Sequence, residues 1–392
     1  MKNKLFVILS IIVCTLMLLS ACGQAATATP VPVEPTQAVP TTVPPTTVPP
    51  TTVPTEAPPC LIIGATYGGS ITDAGYNQAM HEAVMAVKTN IPCVKIIEAE
   101  NVYDDAGATS TMQNMIDQGA KMIIATGFNH QYPALALSEK NPGVIFEHAG
   151  GWEVRANFGN FFGTPPDGWY LMGVAAGKMT TSNKLGFVAN APFGWGLTFI
   201  NAFELGAQSV NPDAKTYVTW TQAWGDSARE AEATNALINQ DVDVITMAVD
   251  SPVTVIGTAE SRGVYSIGYQ NLAAQQFAPQ YWISGTGFTL GNTLTWLVGE
   301  VKDGKWGDAP FVRCGIKDGC MAIAPFGPKV PQAVQDLVNQ KKADILAGTL
   351  VVFKGPIVDQ DGTIRVAEGA TLSDQDMGNV DWFVKGVVGS PK

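Results

Sequence analysis

CLIIGATYGGSITDAGYNQAMHEAV, residues 60–84, carries two periodicities in succession. The first half is an apolar run closed by Gly68 and Gly69. The second half places Ala79, Met80, Ala83 and Val84 at helical spacing. A continuous apolar run reads as a strand buried on both faces, and the change of period marks a helix directly after it. Asp73, Tyr76 and Asn77 fall where strand gives way to helix. In doubly wound sheets, ligands bind beyond the carboxyl ends of the strands, so these three are candidate contacts.

The same alternation continues downstream. CVKIIEAEN, KMIIATGF and GVIFEHAGG read as strands, separated by DAGATSTMQNMIDQGA and QYPALALSEKN as helices. The pattern then restarts. WYLMGVAAGKMTTSN leads as a helix into the strand KLGFVANAP, and AKTYVTWTQ, VDVITMAVDS and VYSIGYQN follow as strands between helices. Two successive α/β units of about a hundred residues each imply two doubly wound parallel-sheet lobes. The strand YWISGTGF, the helix TLGNTLTWLVGEVKDGKW, a cysteine-bracketed hairpin, the helix PQAVQDLVNQKKADILAG and the strand LVVFKGPI complete the chain. DQDG, residues 359–362, reads as a hairpin turn rather than a calcium loop, because it lacks the full ligand set.

The N-terminal segment reads differently. Lys2 and Lys4 precede the apolar LFVILSIIVCTLMLL, and LSAC follows at once. This is a signal sequence whose last residues resemble a bacterial lipobox, implying cleavage before Cys22 and acylation of that cysteine. Acyl chains would hold the protein to a membrane it does not cross. Residues 23–59 are rich in Pro and Thr, with PTTVP repeated in register, and read as an extended spacer. At about 3.1 Å per residue it reaches on the order of 100 Å. The expected organisation is a signal over 1–21, lipidated Cys22 and linker over 22–59, and a first lobe over 60–165 with late crossover segments at about 280–325. A second lobe covers 166–279 with C-terminal segments from about 326 to 392.

Composition narrows the function. The chain has 392 residues, is 46% hydrophobic and only 15% charged, and carries a formal charge of −11. Such an acidic chain lacks the basic patches that nucleic acid requires. Cys60 and Cys93 open the first two strands, and Cys314 and Cys320 bracket GIKDG. Outside the cytoplasm, the pairs Cys60–Cys93 and Cys314–Cys320 are expected as disulfides. A zinc site is the weaker reading, since only three histidines occur and no C-x-x-C. Metalloprotease, nucleophile-elbow, Walker A and dinucleotide patterns are absent, so no cofactor, metal or catalytic residue is expected.

The remaining strand ends add Phe128 and Asn129, then Phe193 and Trp195, Trp224 and Asp226, Asp250, Tyr269 and Gln270, and finally Thr286 and Phe288. Aromatic rings stack on flat ligand faces, while amides and carboxylates bond to polar edges. That set suits a nucleobase, and equally a sugar.

Residues 60–392 resemble the basic membrane protein (BMP) family of substrate-binding lipoproteins of ABC importers. The resemblance rests on GYN after the first strand, GKMTTSNKLGFV, INAFELGAQSVNPDA, WGDSAREAEATNALINQDVDVI, DSP with GVYSIGY, and VFKGPIVDQDG, all in order. It implies a type I periplasmic-binding-protein fold whose hinged lobes close on a purine nucleobase or nucleoside. It further implies permease and ATPase partners, a monomer, and a lipid-anchored location on the extracytoplasmic face. By this resemblance Tyr76 and Trp195 stack on the base, while Asn77 and Asp250 bond to its edge. IGYQN departs from the family's nucleoside pattern, which carries an Asp where Tyr269 and Gln270 stand, and the usual Lys after the next strand has no counterpart. A free base therefore fits better than a nucleoside. A sugar or other polar solute, a surface receptor without a transporter, and a nucleoside hydrolase using Asp73 and Asp250 are the rival readings.

Overall fold

The computed structural model describes residues 59–250, 252–307 and 310–392. The expected signal, Cys22 and the spacer to residue 58 lie outside the described residues. From its first strand the chain runs β1 (Leu61–Thr66), α1 (Tyr76–Asn90), β2 (Val94–Ala99), α2 (Asp105–Asp117), β3 (Met122–Ala125), α3 (Gln131–Lys140), β4 (Ile145–Ala149) and β5 (Phe158–Gly163). It then forms α4 (Pro166–Met179), β6 (Lys184–Ala189), α5 (Gly194–Gln208), β7 (Lys215–Trp220), α6 (Ser227–Ile238), β8 (Val244–Ala248), α7 (Val253–Ser261), β9 (Tyr265–Gln270) and β10 (Trp282–Phe288). The last part comprises α8 (Gly291–Lys302), β11 (Phe311–Cys314), β12 (Met321–Ile323), α9 (Gln332–Leu346), β13 (Ile357–Val358), β14 (Ile364–Val366), α10 (Asp374–Gly378) and β15 (Val387–Val388).

The central apolar runs form strands covered on both faces, whereas β2 at the sheet edge keeps Lys95 and Glu98 exposed. All four residues of β3 and all five of β8 are buried. The first sheet runs β11-β5-β4-β3-β1-β2, with every neighbour parallel. The second runs β12-β10-β9-β8-β6-β7-β15, parallel except for antiparallel β12. Each sheet centres one lobe of a type I periplasmic-binding-protein fold. Helix α4 is buried nearly all round because α5, α9 and the β10–β12 side of the second sheet pack against it. A Cβ on Gly173 would lie 1.9 Å from the carbonyl oxygen of Phe203, so α4 and α5 pack backbone against backbone there. Trp169 fills the layer between helix and sheet, its ring centroid 5.0 Å from Phe187 and 4.8 Å from Tyr269.

The chain crosses between lobes three times: from β5 to α4, from β10 to α8, and from β11 to β12. The third crossing corrects the expected hairpin. Strands β11 and β12 do not pair; β11 adds to β5 of the first sheet and β12 to β10 of the second. The turn GIKDG is thus a bridge between lobes, and Cys314–Cys320 closes it, with Cα atoms 5.6 Å apart. The segment at about 280–325, expected with the first lobe, divides accordingly: β10 and β12 belong to the second sheet, and β11 to the first. Cys60–Cys93 forms as expected, joining the starts of β1 and β2 with Cα atoms 5.4 Å apart. The stretch LVVFKGPI is mostly irregular, with a turn at Val352 and Phe353 and an isolated bridge from Lys354 to Thr371, and a strand begins only at Ile357. Its partner β14 follows the DQDG turn, where the Asp359 carboxylate accepts the N–H groups of Asp361 and Thr363, both at 2.9 Å.

Candidate ligand-binding cleft

A cleft of about 1330 Å³ opens at the carboxyl ends of both sheets. The first lobe contributes the β1–α1 loop, the residues after β3 and β4, and the end of β5. The second contributes the loops after β6, β7, β8 and β9, with the segment around α10 at one side.

Asp73 organises the first loop. Its Oδ1 accepts the N–H groups of Gly75 at 2.8 Å and Gln78 at 3.0 Å; its Oδ2 accepts that of Asn77 at 3.0 Å. This carboxylate satisfies donors that the start of a helix otherwise leaves open. The Asn77 amide donates to the same oxygen at 2.8 Å and accepts the Gly69 N–H at 3.0 Å. Asp73 and Asn77 therefore hold the loop in shape while bordering the cleft. Tyr76 is aimed by its hydroxyl, which donates to the carbonyl of Thr126 at 2.7 Å. Its ring meets Phe288 edge-on, with centroids 6.0 Å apart.

Across the cleft, Asp250 follows β8. Burial, the Asp73 carboxylate and Glu230 push its carboxyl up to about 7, while a hydrogen bond from Gln270 works in the opposite direction. Gln270 is buried at 3% exposure, and its Oε1 accepts no hydrogen bond among the described residues. Its φ of 74° is unusual for a residue other than glycine. Functional sites hold such conformations. A buried acceptor bordering a cleft matches a ligand N–H.

Aromatic rings line much of the wall. Trp152, Phe128, Trp224 and Phe193 form a chain with successive centroids 6.1, 6.1 and 5.7 Å apart. Phe128 and Trp224 come from different lobes, and remain 52% and 38% exposed. Trp195 packs beside Phe199 at 6.4 Å and sits over Gly378. Asn129 donates to the carbonyl of Tyr103 at 3.2 Å, and Asp226 caps α6 through the N–H groups of Ala228 and Arg229.

The structure brings Asp73, Tyr76, Asn77, Phe128, Asn129, Phe193, Trp195, Trp224, Asp250, Tyr269 and Gln270 to one cleft. Thr286 is the correction. It lies two residues before Phe288, the β10 residue that borders the cleft, and is buried under Gly168 of α4, where its hydroxyl donates to the carbonyl of Ala322 at 3.3 Å. Sequence reading missed Asn190, Trp152, Phe162 and Arg313, all of which line the cleft. Asn190 follows β6 directly and was accessible to the same strand-end rule. Arg313 was hidden by the hairpin reading, which removed it from both sheets.

Residues 61–352 match the Bmp family model, described as ABC transporter substrate-binding protein PnrA-like. A purine-binding protein of Brucella abortus is 33% identical over 83% of this chain and 93% of its own length. A protein of Haloferax volcanii named as a candidate ABC transporter glucose-binding protein is also 33% identical, over 74% of this chain and 73% of its own. Among solved structures, an ABC transporter solute-binding protein from Aeropyrum pernix superposes with a TM-score of 0.65 at 16% identity. It covers 76% of this chain and 94% of its own. One from Conexibacter woesei gives 0.63 at 19% identity, over 74% and 98%. At these identities the structural likeness speaks for the fold alone.

Proposed function

The chain belongs to the Bmp family of ABC transporter substrate-binding proteins, and from that premise we propose that it captures a free purine base between its two lobes. As a member of that family it takes a small-molecule ligand and works with permease and ATPase subunits. The finer assignments are ours: a monomer, held to the extracytoplasmic face of the membrane by acylated Cys22, delivering a nucleobase.

The observation that carries the reading is the buried Oε1 of Gln270, beside the Asp250 carboxyl, in a cleft walled by aromatic rings. Two acceptors facing a planar slot fit the N–H edge of a base, and Tyr76 and Trp195 supply rings for its faces. Ligand binding favours the closed arrangement by its differential affinity for it. No step in this capture breaks a covalent bond. The position of Gln270 in IGYQN, where the nucleoside pattern has an Asp, supports a base over a nucleoside. The Brucella relative supports a purine, and the Haloferax relative is the reason to keep glucose as the competing ligand.

Thermal unfolding of the purified protein against bases, nucleosides and sugars tests the proposal. A ligand at a hundredfold excess over its Kd stabilises by about 2.7 kcal/mol. Free bases are expected to raise the Tm while glucose does not. Stabilisation by glucose and by no purine would overturn the reading.

A further inference from the structure

We propose that Arg313 selects the ligand, and that the base it selects is a 6-oxopurine such as hypoxanthine or guanine rather than adenine. The inference rests on the purine reading above and specifies its substrate class.

Among the described residues that line the cleft, Arg313 is the one Lys or Arg, in a lining that also includes Asp73, Asp226, Asp250 and Asp374. Its guanidinium lies over the Phe311 ring, 4.0 Å from the centroid. One Nη donates to the carbonyl of Val312 at 3.0 Å and the other to that of Gly151. These contacts fix the plane of the group. They use two of its five N–H donors, and among the described residues no acceptor takes the rest. Asp374 is the carboxylate whose field reaches it, yet the two form no ion pair among the described residues. Burial pulls the guanidinium down to about 10, so it stays charged at neutral pH. A half-buried cation with spare donors is costly unless an acceptor arrives.

The acceptor is defined by geometry. A guanidinium is a planar fork that donates and never accepts. Its match on a purine is the adjacent pair O6 and N7 of an oxopurine. Adenine carries an amino group at that position, which sets donor against donor. On the second lobe, Gln270 Oε1 and Asp250 are acceptors. The cleft thus offers donors from the first lobe and acceptors from the second. An oxopurine has the complementary edge, a carbonyl next to the N1–H.

Calorimetric titration of the wild-type protein, Arg313→Met and Arg313→Lys with hypoxanthine and adenine tests this. The wild type should bind hypoxanthine at least about tenfold more tightly than adenine, the scale of a good bidentate pair. Arg313→Met should lose most of that preference, with adenine affinity within about twofold of wild type. Arg313→Lys, which keeps the charge without the fork, should show the same selective loss in smaller measure. Equal losses for both bases in either variant would make Arg313 a support for the Gly151 loop and overturn the inference. A wild type that prefers adenine overturns it even if Arg313→Met fails to fold, and leaves the purine reading standing. A wild type that binds glucose and neither base overturns the purine reading itself, and the inference with it.

Discussion

The backbone N–H of Tyr76 donates to the carbonyl oxygen of Asp250 at 3.2 Å, joining the first turn of α1 in one lobe to the end of β8 in the other. The approach depends on the residue before Tyr76. A Cβ on Gly75 would stand 1.9 Å from that same carbonyl oxygen and 2.6 Å from the ring of Pro252. Backbone cannot step aside as a flexible side chain does, so only glycine admits this meeting of lobes. Gly75→Ala should therefore leave each lobe folded but hold the two apart. Ligand affinity is expected to fall about tenfold or more with little change in Tm. Small-angle scattering should show a larger radius of gyration with ligand than for the wild type. Unchanged affinity would mean that closure does not pass through this contact.

Stacking gives a second prediction. Tyr76 and Trp195 border the cleft from opposite lobes, each seated on another ring, Phe288 and Phe199 respectively. Base–aromatic stacking contributes about 1–3 kcal/mol per base. Trp195→Ala should weaken purine binding by about tenfold or more, and Tyr76→Ala by a similar factor. Tyr76→Phe removes only the hydroxyl that holds the ring to Thr126, and should cost about 1 kcal/mol. Titration of a base into the three variants checks the order. A Trp195→Ala protein that binds as tightly as wild type would remove Trp195 from the site.

Most of the fold was legible because its strands are continuous apolar runs ended by glycine or a polar turn. Of the residues that the strand-end rule named, all but Thr286 then fall in the cleft. Strand β5 escaped, because FGNFFG is interrupted by Gly159 and Asn160 and does not read as a run. Packing explains the interruption: a Cβ on Gly159 would lie 2.5 Å from the buried Glu147 carboxyl on β4. The third crossing escaped for a different reason. A pair of cysteines around a glycine turn looks local, and nothing in the text says that its two arms join different sheets. Arg313 went with it. Thr286 shares a face of β10 with Phe288 but lies deeper, where Gly168 of α4 packs against it and shuts it off from the cleft.

The disulfides differ in expected weight. In the chain-entropy account, stabilisation grows with the length of chain closed. Cys60–Cys93 spans 33 residues and Cys314–Cys320 spans 6, corresponding to about 3–4 and about 2 kcal/mol. Serine pairs at 60 and 93 should lower unfolding free energy by more than serine pairs at 314 and 320, measured by denaturant titration. The second pair sits on the bridge between lobes, so its loss should weaken ligand binding more than the first. The reverse pattern in binding would show that the third crossing does not control closure.

Ionisation of Asp250 couples the cleft to pH. Its carboxyl is raised to about 7 in the folded protein, against about 3.9 for an unperturbed Asp. The folded state therefore holds this proton more tightly than the unfolded chain does. The associated stability is fully present below about pH 4 and is lost as pH rises through about 7. Glu204, raised to about 7, and Glu147, raised to about 8, act with the same sign. The unliganded protein should lose Tm from pH 5 to pH 8, and Asp250→Asn should make that slope shallower without abolishing it. Binding should run in the opposite direction. A ligand N–H donating to Asp250 needs the carboxylate, so hypoxanthine affinity should rise from pH 5.5 to 7.5 in the wild type and stay nearly flat in Asp250→Asn. Parallel binding profiles for the two proteins would place the ligand away from Asp250, whatever their stabilities do.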